Sequence, residues 1–216
     1  MKFYPAYLCT ALLLCCLFLP APANGLEIEP FKTNNRSPLL QIFGLPAETS
    51  ASILSPGRWQ VGLTMDISSS YTAGTSGNEQ ILLDGELYRW TLAARYGISD
   101  RFELGLELPF VLQGGGFLDG FIVDWHKFWG LPQGGRDTAP KNRLNYSYSK
   151  NGVRQLSMDQ ASGGIGDLSL LAGYKLFQHR DSVDHDTLAV RTPLKLPTGE
   201  SSRLLGSGSI DLALFL

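Results

Sequence analysis

Hydrolytic chemistry is the first possibility that the residue types raise, because a histidine with carboxylates nearby is accompanied by loop serines. His126 is the best candidate general base, with Asp119 or Asp124 to orient it. The nucleophile would be Ser147 or Ser149. The spacing of these residues matches no catalytic motif, and a histidine at the polar edge of an amphipathic segment is more often a surface residue. We therefore expect no enzymatic activity and keep a lipase- or acyltransferase-like enzyme as an alternative.

A second group of residues, in a polar turn at residues 178–186, has the side chains of a metal site. Imidazole and carboxylate groups are common metal ligands, and this turn contains His179, His185, Asp181, Asp184 and Asp186. Their spacing follows no established metal-binding pattern, and a solvated polar turn has the same composition. We expect neither a metal ion nor another cofactor.

The largest set of candidate functional residues consists of charges at alternating positions in the predicted strands. A period of two places such residues on one face of a strand. Charges of both signs could line an aqueous pore and set its selectivity, or they could pair and fill the interior of a small barrel. The candidate lumen-lining residues are Arg89, Arg95, Arg101, Glu103, Glu107, Asp167, Arg191 and Lys195.

These charges are positioned by strands whose other face is apolar. Residues 88–96 alternate aromatic or aliphatic side chains with polar ones, and residues 102–110 repeat the alternation after a short turn at residues 97–100. Aromatic residues at both ends of an aliphatic band, on strands of about ten residues, are typical of transmembrane β-barrels. We therefore predict that the apolar face contacts lipid and the charged face the lumen.

The same alternation predicts an all-β, antiparallel up-and-down transmembrane barrel. We place six strands at residues 57–69, 82–96, 101–111, 165–177, 187–196 and 206–216. A bulge near Gly85 and a defect at Pro193 are expected, with a polar loop at residues 71–80 and a long irregular region at residues 113–163. Single-chain barrels begin at about eight strands, and six leave open edges. The barrel is therefore expected to be incomplete in this chain, either because the chain is a C-terminally truncated piece of a longer barrel, which we favour, or because it assembles with other copies.

One short amphipathic helix is predicted within the long region, which we place in an extracellular loop. Gly130 and Pro132 would end it. Two roles remain open for this helix, a gate or plug in the barrel and a segment that lies at the lipopolysaccharide interface. Its apolar residues, at helical spacing, are Leu118, Phe121, Ile122, Trp125, Phe128 and Trp129.

The N-terminal residues predict export. Residues 1–23 have the positive start, apolar run and Ala-x-Ala site of a secretory signal peptide. All the cysteines of the chain lie within this range, so the mature part has no disulfide. Residues 24–56 form a proline-interrupted periplasmic lead-in that either packs under or into the barrel or is loosely ordered, and residues 57–216 form the partial barrel. The formal net charge of −2 gives no reason to expect nucleic acid as a partner.

Several segments together carry a resemblance to a known family. They are Ser-Pro-Leu-Leu at residues 37–40, Phe-Gly-Leu-Pro at residues 43–46, the hairpin segment at residues 96–105, Phe-Leu-Asp-Gly-Phe-Ile at residues 117–122 and Leu-Pro-Thr-Gly at residues 196–199. The chain resembles an uncharacterised family of Gram-negative outer-membrane proteins that is labelled only as a domain of unknown function. More distantly, it is similar to predicted outer-membrane transporters associated with aromatic-compound degradation.

The resemblance implies a location and partners but no catalytic residues. It implies an outer-membrane barrel, in contact with lipid and lipopolysaccharide and inserted by the barrel-assembly machinery, and longer family members agree with an incomplete barrel here. The leading hypothesis is a channel or transporter for a small solute, hydrophobic solutes included. A structural or adhesive barrel that acts through its long extracellular loop is the alternative, beside the enzyme considered above.

Overall fold

The computed structural model describes residues 33–45, 47, 49–180 and 185–216, so the predicted signal peptide lies outside the described residues. In this part of the chain the fold is all-β and antiparallel, as predicted, with one α-helix. The strands are β1 (Trp59–Ser76), β2 (Glu79–Gly97), β3 (Phe102–Gly114), β4 (Asn145–Lys150), β5 (Val153–Met158), β6 (Ser162–Ile165), β7 (Leu168–Arg180), β8 (His185–Leu196) and β9 (Asp211–Leu212), and the helix is α1 (Leu118–Trp129).

The strands form one up-and-down sheet. Its main order is β1, β2, β3, β7, β8 and β9, each antiparallel to its neighbour. The β4–β5 hairpin extends the sheet beside the first residues of β2, and β6 pairs with the last residues of β3. The described strands do not close into a barrel, because β1 pairs with β2 and β9 pairs with β8 at the two edges.

The first hairpin is longer than predicted. β1 and β2 keep one register from Trp59 opposite Tyr96 to Ser76 opposite Glu79. The loop predicted at residues 71–80 is therefore wrong, and so is the bulge predicted near Gly85. The residues of β1 beyond Ile67 are mostly polar or small, which removes the hydrophobic alternation without preventing the ladder. The turn itself is reduced to residues 77–78, where Gly77 has a φ of 56°.

The region at residues 113–163 contains the predicted helix and three strands that were not predicted. α1 ends at Gly130, whose φ of 66° is left-handed, as its glycine signal indicated. β4 was missed because its tyrosines alternate with serines and no aliphatic residue marks a buried face. β5 was missed because its apolar residues, Val153, Leu156 and Met158, do not keep a period of two. No helix in the described ranges is long and apolar enough to cross a bilayer.

The C-terminal residues differ most from the predicted sixth strand. Only Asp211–Leu212 forms a strand, and one further bridge joins Phe215 to Arg191. The preceding residues fold back over the sheet, and Leu205 is buried against Leu87 and Val111. Loop residues with this burial cannot be recognised from alternation, because their contacts are made by a non-repeating backbone. The defect expected at Pro193 is absent on the β7 side, where the register shifts between residues 175 and 177 instead. On the other side, regular pairing of β8 with β9 stops at Leu194, and only the bridge at Arg191 follows.

The apolar face of the sheet is largely exposed and the charged face is largely buried, which is the reverse of the arrangement expected of a sheet in water. The outward face, defined here as the face of Trp90 and Leu92, carries aliphatic and aromatic side chains that are largely exposed. The inward face, defined as the face of Arg89 and Arg95, carries the charges and is largely buried. Exposed members of the outward face include Trp59, Val61, Leu63, Met65, Ile67, Leu92, Leu104, Leu106, Phe110, Leu170, Tyr174 and Leu188.

Candidate functional site

The inward face is covered by the segment that precedes β1. We call its described residues between 33 and 58 the lead-in. Arg36 NH2 lies 2.8 Å from Asp66 Oδ2 on β1. Gln41 is 5% exposed; its Nε2 donates to the carbonyl of Leu204 at 2.7 Å, and its Oε1 accepts from Arg89 NH1 at 3.1 Å. The described residues of the lead-in are therefore packed against the inward face.

A buried carboxylate lies at the centre of the contact between the lead-in and the sheet. Glu103 on β3 is 2% exposed and accepts from Arg95 NH2 at 3.2 Å, with Arg95 Nε 3.1 Å from its other oxygen. Arg191 NH1 on β8 also donates to Glu103 Oε1. The backbone N–H of Leu54 in the lead-in adds a fourth contact at 2.9 Å. Because this carboxylate has two cationic partners, its charge is compensated without water.

The same two arginines hold the lead-in by its backbone carbonyls. Arg191 Nε donates to the carbonyl of Ser50 at 2.9 Å, and Arg191 NH2 donates to that of Ser52 at 2.7 Å. Arg95 NH2 also reaches the carbonyl of Ser52, at 3.3 Å. A guanidinium group can serve several acceptors at once because its donors are fixed in a plane. Arg191 is therefore the main link between β8, β3 and the lead-in.

A glycine allows the ion pair between β3 and β8 to form across the strand that separates them. Gly173 on β7 lies opposite Glu103 on one side and opposite Arg191 on the other. A Cβ at this position would lie 3.0 Å from Glu103 Cγ and 3.1 Å from Arg191 NH1. Any larger residue would therefore stand between the two charged groups. Gly173 alternates with the apolar residues of its predicted strand, but only the strand order shows that it separates Glu103 from Arg191.

A second ion cluster surrounds Lys195 on β8, which is 5% exposed. Its Nζ lies 2.5 Å from Asp167 Oδ2 and 3.0 Å from Asp211 Oδ2. Asp167 lies at the break between β6 and β7 and also accepts from the backbone N–H groups of residues 199 and 207, each at 2.9 Å. Asp211 accepts from the N–H of Gly44 in the lead-in at 2.9 Å. This cluster therefore ties both the lead-in and the loop at residues 197–210 to the sheet.

A pocket of about 130 Å³ remains between the lead-in and the inward face. Its walls carry both signs of charge, beside apolar side chains such as Ile42, Leu171 and Phe215. The cationic walls are Arg36, Arg89, Arg95, Arg191 and Lys195, and the acidic ones are Asp66, Glu107, Asp167 and Asp211. Such a pocket suits water or a small polar solute better than an apolar one.

The structure brings together most of the predicted lumen-lining residues. Arg89, Arg95, Glu107, Asp167, Arg191 and Lys195 all border the pocket, and Glu103 lies beside it in the ion cluster. Arg101 is the exception, because it precedes β3 and its side chain is exposed in the turn. The prediction missed Arg36, which lies outside the predicted strands, and Asp211, although it stands between Ile210 and Leu212 in the predicted sixth strand. Asp66 was missed although it alternates with apolar residues on β1.

The predicted gate helix lies on the other side of the sheet. The first turn of α1 contacts Glu86, whose side chain shares the outward face with Tyr88. Of its predicted gate residues, Leu118 and Ile122 are half-buried, whereas Phe121, Trp125, Phe128 and Trp129 are exposed. This placement gives no support to a gate or plug role for the helix, and the lead-in and the loop at residues 197–210 occupy the inward face instead.

The hydrolase candidates are not brought together. His126 Nδ1 lies 2.9 Å from the carbonyl of Pro132, while Asp119 contacts Arg136 and the N–H of Asn142. Ser147 and Ser149 lie on β4. Within the described ranges no three potential metal ligands cluster, and Asp181 and Asp184 of the predicted metal turn lie outside them.

Comparison with known proteins gives a family and no closer relative. The profile of a family described as "Protein of unknown function (DUF3187)" matches residues 7–216. No curated protein matches the chain. No solved structure matches it either.

Proposed function

Since the chain belongs to the DUF3187 family of proteins of unknown function, we propose a function from its geometry. The protein is an outer-membrane β-barrel that binds and passes a small polar solute through its charged interior, and the lead-in is its plug. This role of the lead-in replaces the gate that the sequence suggested for α1. The export signal predicted at residues 1–23 agrees with this location.

The observation that carries the proposal is the reversed burial of the two faces. In water a sheet buries its apolar face, whereas here the apolar face is exposed and the charged face is covered. On β1 the exposed apolar residues run from Trp59 to Ile67. A tilted strand needs about 9–11 residues to cross the hydrocarbon core, which agrees with this band. The open edges at β1 and β9 would pair with further strands in the assembled protein, because lipid cannot satisfy them.

The contacts that hold the lead-in are of a kind that a plug can exchange. The arginines of β2 and β8 bind its backbone carbonyls, and Asp211 and Glu103 bind its backbone N–H groups. Water or a polar solute can replace such contacts at little net cost, because hydrogen bonds are exchanged rather than lost. These polar contacts hold the part of the lead-in from Gly44 to Leu54, whereas Leu39 and Ile42 pack against an apolar cluster and would stay in place. A solute would first bind in the pocket between the lead-in and the inward face.

Both signs of charge around the pocket favour a polar or zwitterionic solute over a strongly charged one. The cationic and acidic walls alternate along the inward face, so neither sign dominates the field inside. This differs from the hydrophobic solute that the sequence hypothesis included. A lipid-like solute would displace water from these charged walls without offering hydrogen bonds in return.

A disulfide that locks the lead-in to β9 tests this function. A Cβ at Gly44 would lie 3.1 Å from the Cβ of Asp211, so a backbone shift of a few tenths of an ångström brings the pair into the range of about 3.5–4.5 Å found in disulfides. The Gly44→Cys/Asp211→Cys variant should therefore form a bond between the lead-in and the sheet. We expect planar bilayers containing the oxidised variant to carry less current than the same protein after reduction.

The native cysteines do not interfere, because all of them lie within residues 1–23. The Asp211→Cys single variant is the matched control, since it loses the same carboxylate without gaining a bond. Its current should not depend on the reductant. Absence of current in the wild type, together with no solute uptake into liposomes, would overturn the proposed channel.

A structural or adhesive role remains a second candidate because of the polar hairpins beyond the apolar band. The tips of the β1–β2 and β4–β5 hairpins are joined, and the N–H of Asn151 donates to the carbonyl of Asn78 at 2.9 Å. On β5, Val153 and Arg154 are exposed. An adhesin should lose cell attachment in a Val153→Ser/Arg154→Ser variant while its conductance is unchanged.

A further inference from the structure

Helix α1 is fixed to the outward face of the sheet at its first residue. Glu86 and Tyr88 on β2 share the face of Trp90, because they are separated from it by even numbers of residues. The backbone N–H of Leu118 donates to Glu86 Oε1 at 2.5 Å, and the hydroxyl of Tyr88 donates to Glu86 Oε2 at 2.5 Å. A carboxylate at this position also complements the positive end of the helix dipole. The helix therefore begins just beyond the end of the exposed apolar band, on the same face of the sheet as that band.

A second attachment joins the helix to β1. Asp119 is 4% exposed, and its Oδ1 lies 2.5 Å from Arg136 NH1, which also donates to Ser69 Oγ at 2.7 Å. The guanidinium of Arg136 lies 5.7 Å from the ring centroid of Tyr71. Ser69 and Tyr71 continue the outward face of β1 beyond Ile67. Two independent attachments therefore hold the helix where the apolar band ends.

The side of the helix that faces away from these attachments is aromatic and largely exposed. Phe121 and Trp125 stack with centroids 6.0 Å apart, and Trp129 lies 5.7 Å from Trp125 and 5.0 Å from Phe128. Of these, Phe128 is 77% exposed. Monomeric proteins in water rarely expose such a contiguous patch. Lys127 and Asp124 are exposed beside it, so the helix has the aromatic and charged sides of an interfacial helix.

We infer that α1 lies in the membrane–water interface around the sheet, with Phe121, Trp125, Phe128 and Trp129 in the headgroup region of one leaflet. The inference rests on the lipid-facing assignment of the outward face under the proposed function. The membrane is the partner we assign to the aromatic side, because the helix is attached to the same sheet face as the exposed apolar band and at the end of that band. Indole rings favour this region because they combine an apolar body with one N–H donor. The helix would fix the depth and rotation of the sheet in the bilayer.

Depth-dependent quenching of tryptophan fluorescence by brominated phosphatidylcholine tests the inference. The chain has 4 tryptophans, so the Trp59→Phe/Trp90→Phe variant emits only from α1. The reference variant replaces every tryptophan by phenylalanine and carries Leu92→Trp, at an exposed position in the centre of the band. Both are reconstituted into vesicles whose lipids carry bromine at a shallow, middle or deep position of the acyl chain.

We expect the helix tryptophans to lose most emission with the shallow bromine and the residue at position 92 to lose most with the deep one. Aqueous acrylamide should quench the helix more than position 92. If position 92 is quenched and the helix is not, the interfacial helix is wrong and the lipid-facing sheet stands. If the helix is quenched most by the deep bromine, the interfacial placement is also wrong. If neither site is quenched, the lipid-facing assignment itself is overturned.

Discussion

Glu103 on β3 and Arg191 on β8 form an ion pair across an intervening strand, because the residue between them is Gly173. Neighbouring strands lie about 4.8 Å apart, so side chains two strands away normally cannot meet over a residue with a Cβ. The pair also binds the lead-in through Arg191. The absence of a side chain at Gly173 therefore permits both the ion pair between β3 and β8 and the attachment of the lead-in to the inward face through Arg191.

Gly173→Ala should destabilise the protein by about 1–3 kcal/mol, the usual range for overpacking. The added Cβ would lie 3.0 Å from Ile53 Cδ1 and from Glu103 Cγ, so the lead-in or the ion pair must shift. Urea unfolding of the detergent-solubilised protein measures the change. Gly62→Ala is the matched control, since no atom lies within 4 Å of its Cβ position. Equal effects at the two glycines would contradict this account.

Glu103→Gln should cost about 3–5 kcal/mol, because it leaves Arg95 and Arg191 buried together without a carboxylate. Adding Arg191→Met to this variant should restore part of the stability, since one of the uncompensated cations is removed. A double-mutant cycle on unfolding free energies gives the coupling. Strictly additive losses would show that the two side chains do not interact in the folded protein.

Arg191→Lys should loosen the lead-in while keeping the positive charge. An ammonium group cannot reproduce the planar donors that serve the carbonyls of Ser50 and Ser52. We expect limited proteolysis to cut residues 49–56 faster than in the wild type, with the sheet intact. Arg101→Lys, at an exposed arginine of the adjacent turn, should leave the cleavage rate unchanged. A resistant lead-in in Arg191→Lys would count against its attachment through this residue.

The pair between Glu79 and Lys150 should be visible as a pH effect at the hairpin tips. The hydrogen bond from Lys150 lowers the pKa of Glu79, and the same bond raises the pKa of Lys150. The carboxylate therefore favours pairing of β2 with β4 above its ordinary pKa, and this contribution is lost as pH falls through the lowered value. Titration of the Glu79 carboxyl by NMR measures the shift. Lys150→Met should move the pKa back toward the ordinary value.

The two ends of the sheet should differ in accessibility if the proposed membrane topology is right. The β4–β5 hairpin is assigned to the cell exterior and the turn at residues 97–100 to the periplasm. A cysteine at Arg154, an exposed position on β5, should react with a membrane-impermeant maleimide on intact cells. A cysteine at Asp100, exposed in the opposite turn, should react only after the outer membrane is opened. Labelling of Asp100→Cys alone would invert the topology.

The antiparallel all-β class and the helix at Leu118–Trp129 could be predicted from the sequence, and so could the charges of one sheet face. Alternation with a period of two and apolar residues at helical spacing are local properties of the chain, so they can be recognised from the sequence alone. The pairing of Arg95 with Glu103 was also within reach, because a short turn brings the ends of β2 and β3 together.

Only the tertiary structure decided what covers that charged face and on which side the helix lies. Arg191 is far along the chain from Glu103, and Asp211 is far from Gly44, so both contacts depend on strand order, which alternation does not encode. The lead-in and the loop at residues 197–210 have irregular backbones, whose side chains follow no period. The sequence thus determines which residues share a face, whereas the neighbours of that face follow from long-range packing.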